Sequence, residues 1–248
     1  MDYYVKNNDI ILHEKDFDLD ETLDCGQAFR WKRIESDYRC TYEGNFLNDS
    51  LKISEISEKT FVFHNVSEED FLNKWADYFD LYTDYSELKR QFSEDKTLSE
   101  ACAFAGGIRL LKQNSWECLI SFIISQNNNI PRIKGIVEKI SKQYGNKIIF
   151  REKEYYTFPT PQELLKASVE DLRNLGLGFR DKRIFNTTKM ICEKEVDLEK
   201  IKNMNSTNEM RDELLKTKIL PTLVVWAIFF TIFSNIVKLY LIKKLSEQ

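Results

Sequence analysis

The chain has 248 residues, of which 42% are hydrophobic and 31% charged, and its formal net charge is −4. This length allows one large domain or two small ones that share a core, and the composition excludes a disordered or fibrous chain. The charge is uneven: residues 1–100 carry 12 basic and 24 acidic side chains, whereas residues 106–190 carry 15 basic and 8 acidic ones. The basic block favours a phosphate-binding surface, and a solvated helical surface rich in lysine is the alternative.

Neither the cysteines nor the histidines indicate a metal site. The five cysteines are odd in number and far apart, and only His13 and His64 are present. Because closely spaced ligands are the usual signal, we expect no metal centre and no disulfide framework. The first residues, Met-Asp-Tyr-Tyr followed by charge, lack a secretory signal and favour a reduced, cytoplasmic setting. The cysteines are Cys25, Cys40, Cys102, Cys118 and Cys192.

Residues 9–65 have the pattern of short strands, because aromatic and β-branched residues alternate with polar ones. Turns are expected at Glu43-Gly44-Asn45 and at Asn48-Asp49-Ser50. The pattern predicts an antiparallel sheet with one buried side. The predicted strands cover residues 9–13, 28–34, 38–43, 46–53 and 60–64.

From Ser67 the hydrophobic period changes to about 3.6 residues, which is typical of helices. Ser67 and the three acidic residues after it suit a helix N-terminus. Residues 145–161 are expected to pack as a connector. Strands followed by a run of helices predict an α+β fold. The predicted helices cover about 68–80, 84–93, 97–105, 115–126, 131–144, 161–167, 169–175, 180–193 and 206–217.

Three consecutive asparagines, Asn127 to Asn129, follow the apolar run from Trp116 to Ile124. Asn is a poor helix former with several hydrogen-bonding groups to satisfy, so the triplet is expected to end a buried helix and to expose amides. Pro131 suits the first turn of the next helix, which brings Arg132 beside the amides. Amides beside an arginine suit contacts to phosphates or base edges.

Two further segments share this character, one from Cys25 to Trp31 and one from Leu175 to Lys182. Together with the asparagine segment they resemble the 8-oxoguanine DNA glycosylase family of base-excision repair, and the resemblance covers roughly residues 1–218. It implies an antiparallel sheet domain packed on an α-helical domain of the helix-hairpin-helix glycosylase type, incomplete at its C-terminus. The corresponding domains are 1–112, 113–218 and a divergent tail at 219–248.

The resemblance also implies a function and a set of DNA contacts. The family excises 8-oxoguanine opposite cytosine from duplex DNA and cleaves the abasic site, and neither a cofactor nor a metal is implied; we expect a monomer. Gly26 matches the residue that reads the N7 hydrogen of the lesion. Asn127, Arg132 and Arg180 match positions that hold the orphaned cytosine, and Phe179 matches an intercalating aromatic that is often Tyr.

Each of these assignments has a structural alternative. Gly26 suits a strand bulge or a turn, and Arg180 suits pairing with Asp181 or exposure to water. Phe29 and Trp31 are expected in the core, because alternate strand positions share one side. Asn128 and Asn129 are expected to cap and orient their turn rather than to touch DNA.

The catalytic part of the family pattern is not recognisable in this chain. The family uses a lysine that attacks C1′ and an aspartate, positioned by a glycine-containing hairpin. Gly178 is the last glycine and Asp212 the last aspartate, which leaves Lys216 and Lys218 as candidate nucleophiles. The expectations left open are an active glycosylase/lyase, a catalytically inactive protein that binds damaged DNA, and a truncated non-functional product.

The tail from Ile219 to Val237 is free of charge over about 19 residues, which is near the minimum for a membrane span. A membrane anchor, a buried helix and a disrupted reading frame are all compatible with it, and the abrupt end of the family pattern favours the last. We expect no anchor, because the segment begins near Pro221 and contains several polar residues. The expected location is cytoplasmic and nucleoid-associated. The polar residues are Thr222, Thr231, Ser234 and Asn235.

Overall fold

The computed structural model describes residues 1–204 and 206–216. Their contacts divide into two compact units. The first unit contains residues 1–44 and 50–112, and the second contains residues 45–49 and, among those described, 113–216. Lys218 and the apolar tail lie outside the described residues.

A six-stranded sheet of order β1-β2-β6-β5-β4-β3 forms the first part of the chain. The pairs β1 with β2, β2 with β6, β5 with β6 and β3 with β4 are antiparallel, which confirms the predicted sheet. Strand β1 was not predicted from the sequence. A tight turn at Asn7 and Asn8 joins it to β2, and the φ angles of these two residues, 51° and 65°, are typical of such a turn. The strands are β1 Asp2–Lys6, β2 Asp9–His13, β3 Trp31–Arg33, β4 Cys40–Phe46, β5 Asp49–Ser57 and β6 Thr60–His64.

The predicted turn at Glu43-Gly44-Asn45 is wrong, because Gly44 lies inside β4 opposite Trp31. A Cβ atom on Gly44 would lie 2.3 Å from the Trp31 indole, so this glycine is there for close packing rather than for a turn. The turn at 48–50 is also shifted, because Leu47 with φ 53° begins it and β5 already starts at Asp49. The strand predicted at 28–34 shortens to Trp31–Arg33.

Helices complete the first unit, and the segment predicted as one helix over 68–80 contains a π-helical turn at Phe71–Trp75. That turn contributes the Phe71 ring, whose centroid lies 5.0 Å from the ring of Phe63 on β6. The short helix α1 was missed; Asp18 caps it by accepting from Glu21 N at 2.9 Å. The helices are α1 Leu19–Leu23, α2 Glu68–Asp70, α3 Ala76–Tyr78, α4 Tyr85–Phe92 and α5 Lys96–Phe104.

The second unit is mainly helical, with one two-stranded hairpin. The hairpin pairs β7 Lys147–Phe150 with β8 Lys153–Tyr156, so the prediction of a plain connector at 145–161 is wrong. Helix α11 was missed, although Asp197 caps it by accepting from Lys200 N at 3.0 Å. The helices are α6 Ser115–Ser125, α7 Ile130–Tyr144, α8 Pro161–Leu164, α9 Val169–Leu172, α10 Asp181–Cys192, α11 Leu198–Lys202 and α12 Thr207–Lys216.

The connection between α9 and α10 positions part of the candidate site. It consists of a π-helical turn, Arg173–Leu177, and a 3₁₀ turn, Gly178–Arg180. Gly176 and Gly178 have φ angles of 97° and 56°, which L side chains adopt only at a cost. Within the described residues, no helix is long and apolar enough to cross a membrane.

Candidate functional site

The turn between α6 and α7 is shaped by its own asparagines. Asn129 accepts from the Arg132 backbone N–H at 3.0 Å and so caps α7, with Pro131 in the first turn. Asn128 donates its side-chain amide to Ile124 O at 3.1 Å at the end of α6. The predicted capping roles of these two residues are confirmed, because both amides satisfy backbone groups that helix ends leave open.

Asn127 is the first residue of the triplet and, like Asn129, is exposed to solvent. It has φ 48°, a left-handed conformation that Asn tolerates better than most residues. Its side chain is exposed, and it forms no hydrogen bond with any residue that the structure describes. The amide is therefore presented outward, with its donor and acceptor available to a ligand.

Arg180 is buried under this turn and is hydrogen-bonded to its backbone. Its side chain is only 3% exposed, and its guanidinium donates to main-chain carbonyls of the turn and of its own loop. Nε reaches Gln126 O at 2.9 Å, Nη2 reaches Asn127 O at 2.9 Å and Gln126 O, and Nη1 reaches Leu177 O at 3.2 Å. Neither structural alternative from the sequence is observed, since Asp181 accepts instead from Arg173 Nε at 2.7 Å. Arg180 is thus a buried cation that organises a backbone.

Phe179 and Arg132 lie beside this cation. The Arg180 guanidinium carbon is 4.3 Å from the centroid of the Phe179 ring, which is 64% exposed. Arg132 is exposed, and its Nη2 lies 3.4 Å from Gly176 O. The structure therefore brings together all four DNA contacts predicted in this unit: Asn127, Arg132, Phe179 and Arg180.

The electrostatics of this cluster favour an anionic partner. Burial lowers the pKa of Arg180, and the nearby charges of Arg132 and Arg183 lower it further. Across the described ranges, no carboxylate forms an ion pair with any of these three arginines. An exposed aromatic ring beside unneutralised guanidinium groups can stack on a base while the cations bind phosphates or base edges.

Gly26 lies in the first unit, on the loop between α1 and β3, with φ 82°. Its carbonyl accepts no hydrogen bond from the described part of the chain, so the oxygen is available to a ligand donor. Phe29 and Trp31, a few residues further on, are buried as predicted, and Trp31 Nε1 donates to Tyr78 OH at 2.8 Å.

Two residues that sequence reasoning missed hold the Gly26 loop. Gln27 is 1% exposed; its Nε2 donates to Thr22 O at 2.7 Å and Arg109 O at 2.8 Å, while its Oε1 accepts from Leu111 N at 3.1 Å. Arg109 is equally buried and donates from Nη1 to Asp80 O at 2.6 Å. The available signal was a lone arginine within the apolar run from Ile108 to Leu111, which suggests a buried, bonded cation.

The candidate nucleophiles are not placed by the structure. Lys216 is the last residue of α12 and Lys218 lies beyond the described residues. Both lysines stay predicted nucleophiles.

Two family models match consecutive parts of this chain. The first, for the N-terminal domain of 8-oxoguanine DNA glycosylase, matches residues 9–119. The second, for base excision DNA repair proteins of the HhH-GPD superfamily, matches residues 120–217. Together they match residues 9–217, which include most of both units described above.

Individual relatives agree with these models. The Clostridium acetobutylicum 8-oxoguanine glycosylase/lyase, solved with duplex DNA containing cytosine opposite 8-oxoguanine, is 37% identical with a TM-score of 0.87, over 94% of this chain and 80% of that one. The N-glycosylase/DNA lyase of Saccharomyces cerevisiae is 34% identical over 73% of this chain and 51% of its own length. The chain spans about half the length of this relative and 46% of the one from Arabidopsis thaliana.

Proposed function

The chain belongs to the 8-oxoguanine DNA glycosylase family, and we propose that it recognises 8-oxoguanine opposite cytosine in duplex DNA for base-excision repair. The observation that carries the proposal is the convergence of Asn127, Arg132, Phe179 and Arg180 at one cationic surface. We propose a cytoplasmic, nucleoid-associated location and a monomeric state, because the substrate is the chromosome and the cluster lies within one unit.

The residues divide the work of recognition. Reading a base in duplex DNA requires it to leave the stack, and a side chain must fill the gap. Phe179 supplies an exposed ring for that gap. Asn127 and Arg132 supply hydrogen-bond donors for the cytosine left behind. Arg180 supports Asn127 by its hydrogen bonds to the backbone of the turn. For Arg180 itself to contact cytosine, it must give up one of its hydrogen bonds to a carbonyl.

Gly26 supplies the proposed lesion contact. Its carbonyl is without a partner among the residues described, and the absent Cβ lets a planar base edge approach closely. 8-Oxoguanine carries a hydrogen on N7 that guanine lacks. A carbonyl acceptor therefore gains one hydrogen bond with the lesion and faces a lone pair with guanine, a difference of about 1–3 kcal/mol.

Equilibrium binding tests the recognition step. Duplexes carrying an abasic-site analogue opposite each of the four bases, together with intact duplex, are titrated with the full chain. We expect tighter binding of the abasic duplex opposite cytosine than of intact duplex, and an affinity that falls steeply as salt rises, because bound cations release counterions from DNA. Equal affinity for all four opposite bases would contradict the roles assigned to Asn127 and Arg132.

Base removal and strand cleavage are the activities named for the relatives. A second candidate for this chain is recognition without cleavage, and it is motivated by one feature of the sequence: no glycine follows Gly178 and no aspartate follows Asp212 in its 248 residues. A lysine nucleophile must be held unprotonated and aimed at C1′, and the sequence after Gly178 and Asp212 lacks the glycine and the aspartate of the family pattern that does this.

Borohydride trapping on 8-oxoguanine duplex separates the two candidates. A lysine that attacks C1′ forms a Schiff base, and its reduction fixes the protein to the DNA. We expect no adduct and no strand cleavage from this chain. An adduct that disappears in Lys218→Ala and persists in Lys216→Ala would establish glycosylase/lyase activity and identify Lys218 as the nucleophile.

A further inference from the structure

Helix α10 reaches the asparagine turn at a second point, through Arg183 and Gln126. Nη1 of Arg183 donates to Oε1 of Gln126, the residue directly before Asn127. Arg180 is the last residue of the 3₁₀ turn before α10 and Arg183 lies in the first turn of that helix, and both side chains bond Gln126. Arg180 bonds the backbone of the turn, and Arg183 bonds the side chain that leads into it.

The Gln126 side chain depends on Arg183 for its orientation. Its Nε2 is buried and has no hydrogen-bond partner among the residues described. Exchanging the amide oxygen and nitrogen would set two donors against each other, so the Arg183 guanidinium selects the observed orientation. Loss of Arg183 leaves both ends of this amide unsatisfied, which favours another side-chain conformation and a shifted turn.

The charge of Arg183 is not explained by local stability. Arg132, Arg180 and Arg183 lie close enough for their charges to lower the pKa of Arg180, and no carboxylate of the described chain pairs with them. Like charges without a counterion oppose one another. A neutral donor would orient Gln126 without that cost, so the arginine suits a surface that meets a polyanion.

We propose that Arg183 and Gln126 form a positioning pair that fixes the direction of the Asn127 side chain and thereby sets the preference for cytosine opposite the lesion. The inference rests on the proposed function. Asn127 forms no side-chain hydrogen bond with the described residues, so within them its direction depends on its left-handed backbone, which fixes the position of its Cβ, and on its own rotamer. That backbone directly follows Gln126, and Arg183 therefore acts through another residue rather than by touching the base.

The test compares substitutions that remove the pair with substitutions that preserve it. Arg183→Met and Gln126→Met remove the donor or the acceptor at similar size. Arg183→Lys and Gln126→Glu keep a donor or an acceptor. Lys182→Met is the matched control, because Lys182 is an exposed cation next to Arg183 on the same helix. Thermal unfolding of each variant verifies the fold, and affinity is measured for abasic-analogue duplexes opposite each base at one salt concentration.

We expect the methionine variants at 183 and 126 to lose about fivefold to tenfold of the preference for cytosine, in the range of one lost hydrogen bond. The double variant should lose no more than either single one, because the two residues act as a unit. Arg183→Lys and Gln126→Glu should retain most of the preference. Lys182→Met should weaken binding equally opposite all four bases, as a phosphate contact does.

Two results would overturn the inference, and they are distinguishable from each other. If Arg183→Met weakens binding equally opposite all bases, as Lys182→Met does, then Arg183 is only a phosphate contact and the proposed function stands. If the unaltered chain has no preference for cytosine, the proposed function fails and the positioning pair fails with it.

Discussion

The Gly26 loop and the Asn127 turn both place a proposed recognition residue in a left-handed conformation, at φ 82° and 48°, but different chemistry supports them. Gln27 supports the first with a neutral amide whose donors and acceptor meet three backbone groups. Arg180 supports the second with a cation that donates only to carbonyls. Each support is internal to its own unit of the chain.

The difference shows how a fold can divide a recognition task. A neutral amide with matched partners holds a loop without adding charge, which suits the reading of a base edge. A buried guanidinium holds a turn and also adds positive charge beneath the surface that carries Arg132, which suits a phosphate-rich partner. We expect ionic strength to affect the two regions unequally, since salt screens charged interactions and leaves neutral hydrogen bonds largely unchanged.

The largest expected effect on stability comes from the loss of Gln27, the neutral support. Gln27→Leu leaves Thr22 O, Arg109 O and Leu111 N without their buried partner, and each unsatisfied group costs about 1–3 kcal/mol. We expect the free energy of unfolding to fall by about 3–5 kcal/mol in urea denaturation. Gln91→Leu, at an exposed position, is the control and should change it by less than about 0.5 kcal/mol. A loss below about 1 kcal/mol in Gln27→Leu would show that the loop is held by other contacts.

Loss of Arg180, the cationic support, should lower the free energy of unfolding somewhat less. Arg180→Ala removes the bonds to three carbonyls but also removes a buried charge, so we expect a loss of about 1–3 kcal/mol in unfolding. Affinity for abasic DNA should fall by a similar amount, with a weaker preference for cytosine. Arg180→Lys should not restore either quantity, because one ammonium group lacks the planar fork that reaches all three carbonyls. Full recovery of stability and affinity in Arg180→Lys would show that only the positive charge at position 180 matters.

Gly26→Ala tests the backbone on which the first region depends. A Cβ at φ 82° costs about 1 kcal/mol in stability and obstructs the approach of a base to the carbonyl. We expect the ratio of affinities for 8-oxoguanine and guanine duplexes to fall by about tenfold, equivalent to one hydrogen bond. Gly135→Ala is the control, since a Cβ there meets nothing within 4 Å. Unchanged discrimination in Gly26→Ala would remove the glycine from the proposed lesion contact.

The smallest effect on stability is expected at Arg132. This residue therefore distinguishes a role in DNA contact from a role in holding the turn. Its side chain is exposed and makes one long bond to Gly176 O, at 3.4 Å, so Arg132→Ala should change the free energy of unfolding by less than about 0.5 kcal/mol. Binding of abasic duplex opposite cytosine should nevertheless weaken by about 1–3 kcal/mol, measured by anisotropy. Binding that stays at the level of the unaltered chain would make Arg132 a bystander of the cluster.

Local patterns in the sequence predicted much of the fold and the members of the site. Strands β2 and β6 have the predicted bounds, and Asn128 and Asn129 cap as expected, because alternation and helix capping depend on near neighbours. The support of the site was not predictable in this way. Arg180 bonds carbonyls 53 and 54 residues away, and Gln27 bonds Arg109 at a separation of 82. The turn predicted at Gly44 was wrong for the same reason, since this glycine packs against the Trp31 ring on another strand.

The exclusive use of main-chain carbonyls by Arg180 has an evolutionary consequence. An anchor that ignores side chains tolerates replacement at the residues it holds, so position 127 can change while the turn persists. The left-handed backbone favours Gly and Asp among the replacements, because these residues adopt it at a lower cost than most others. If Asn127 has the proposed role, the opposite-base preference can therefore change by single substitutions at position 127 that leave the fold intact.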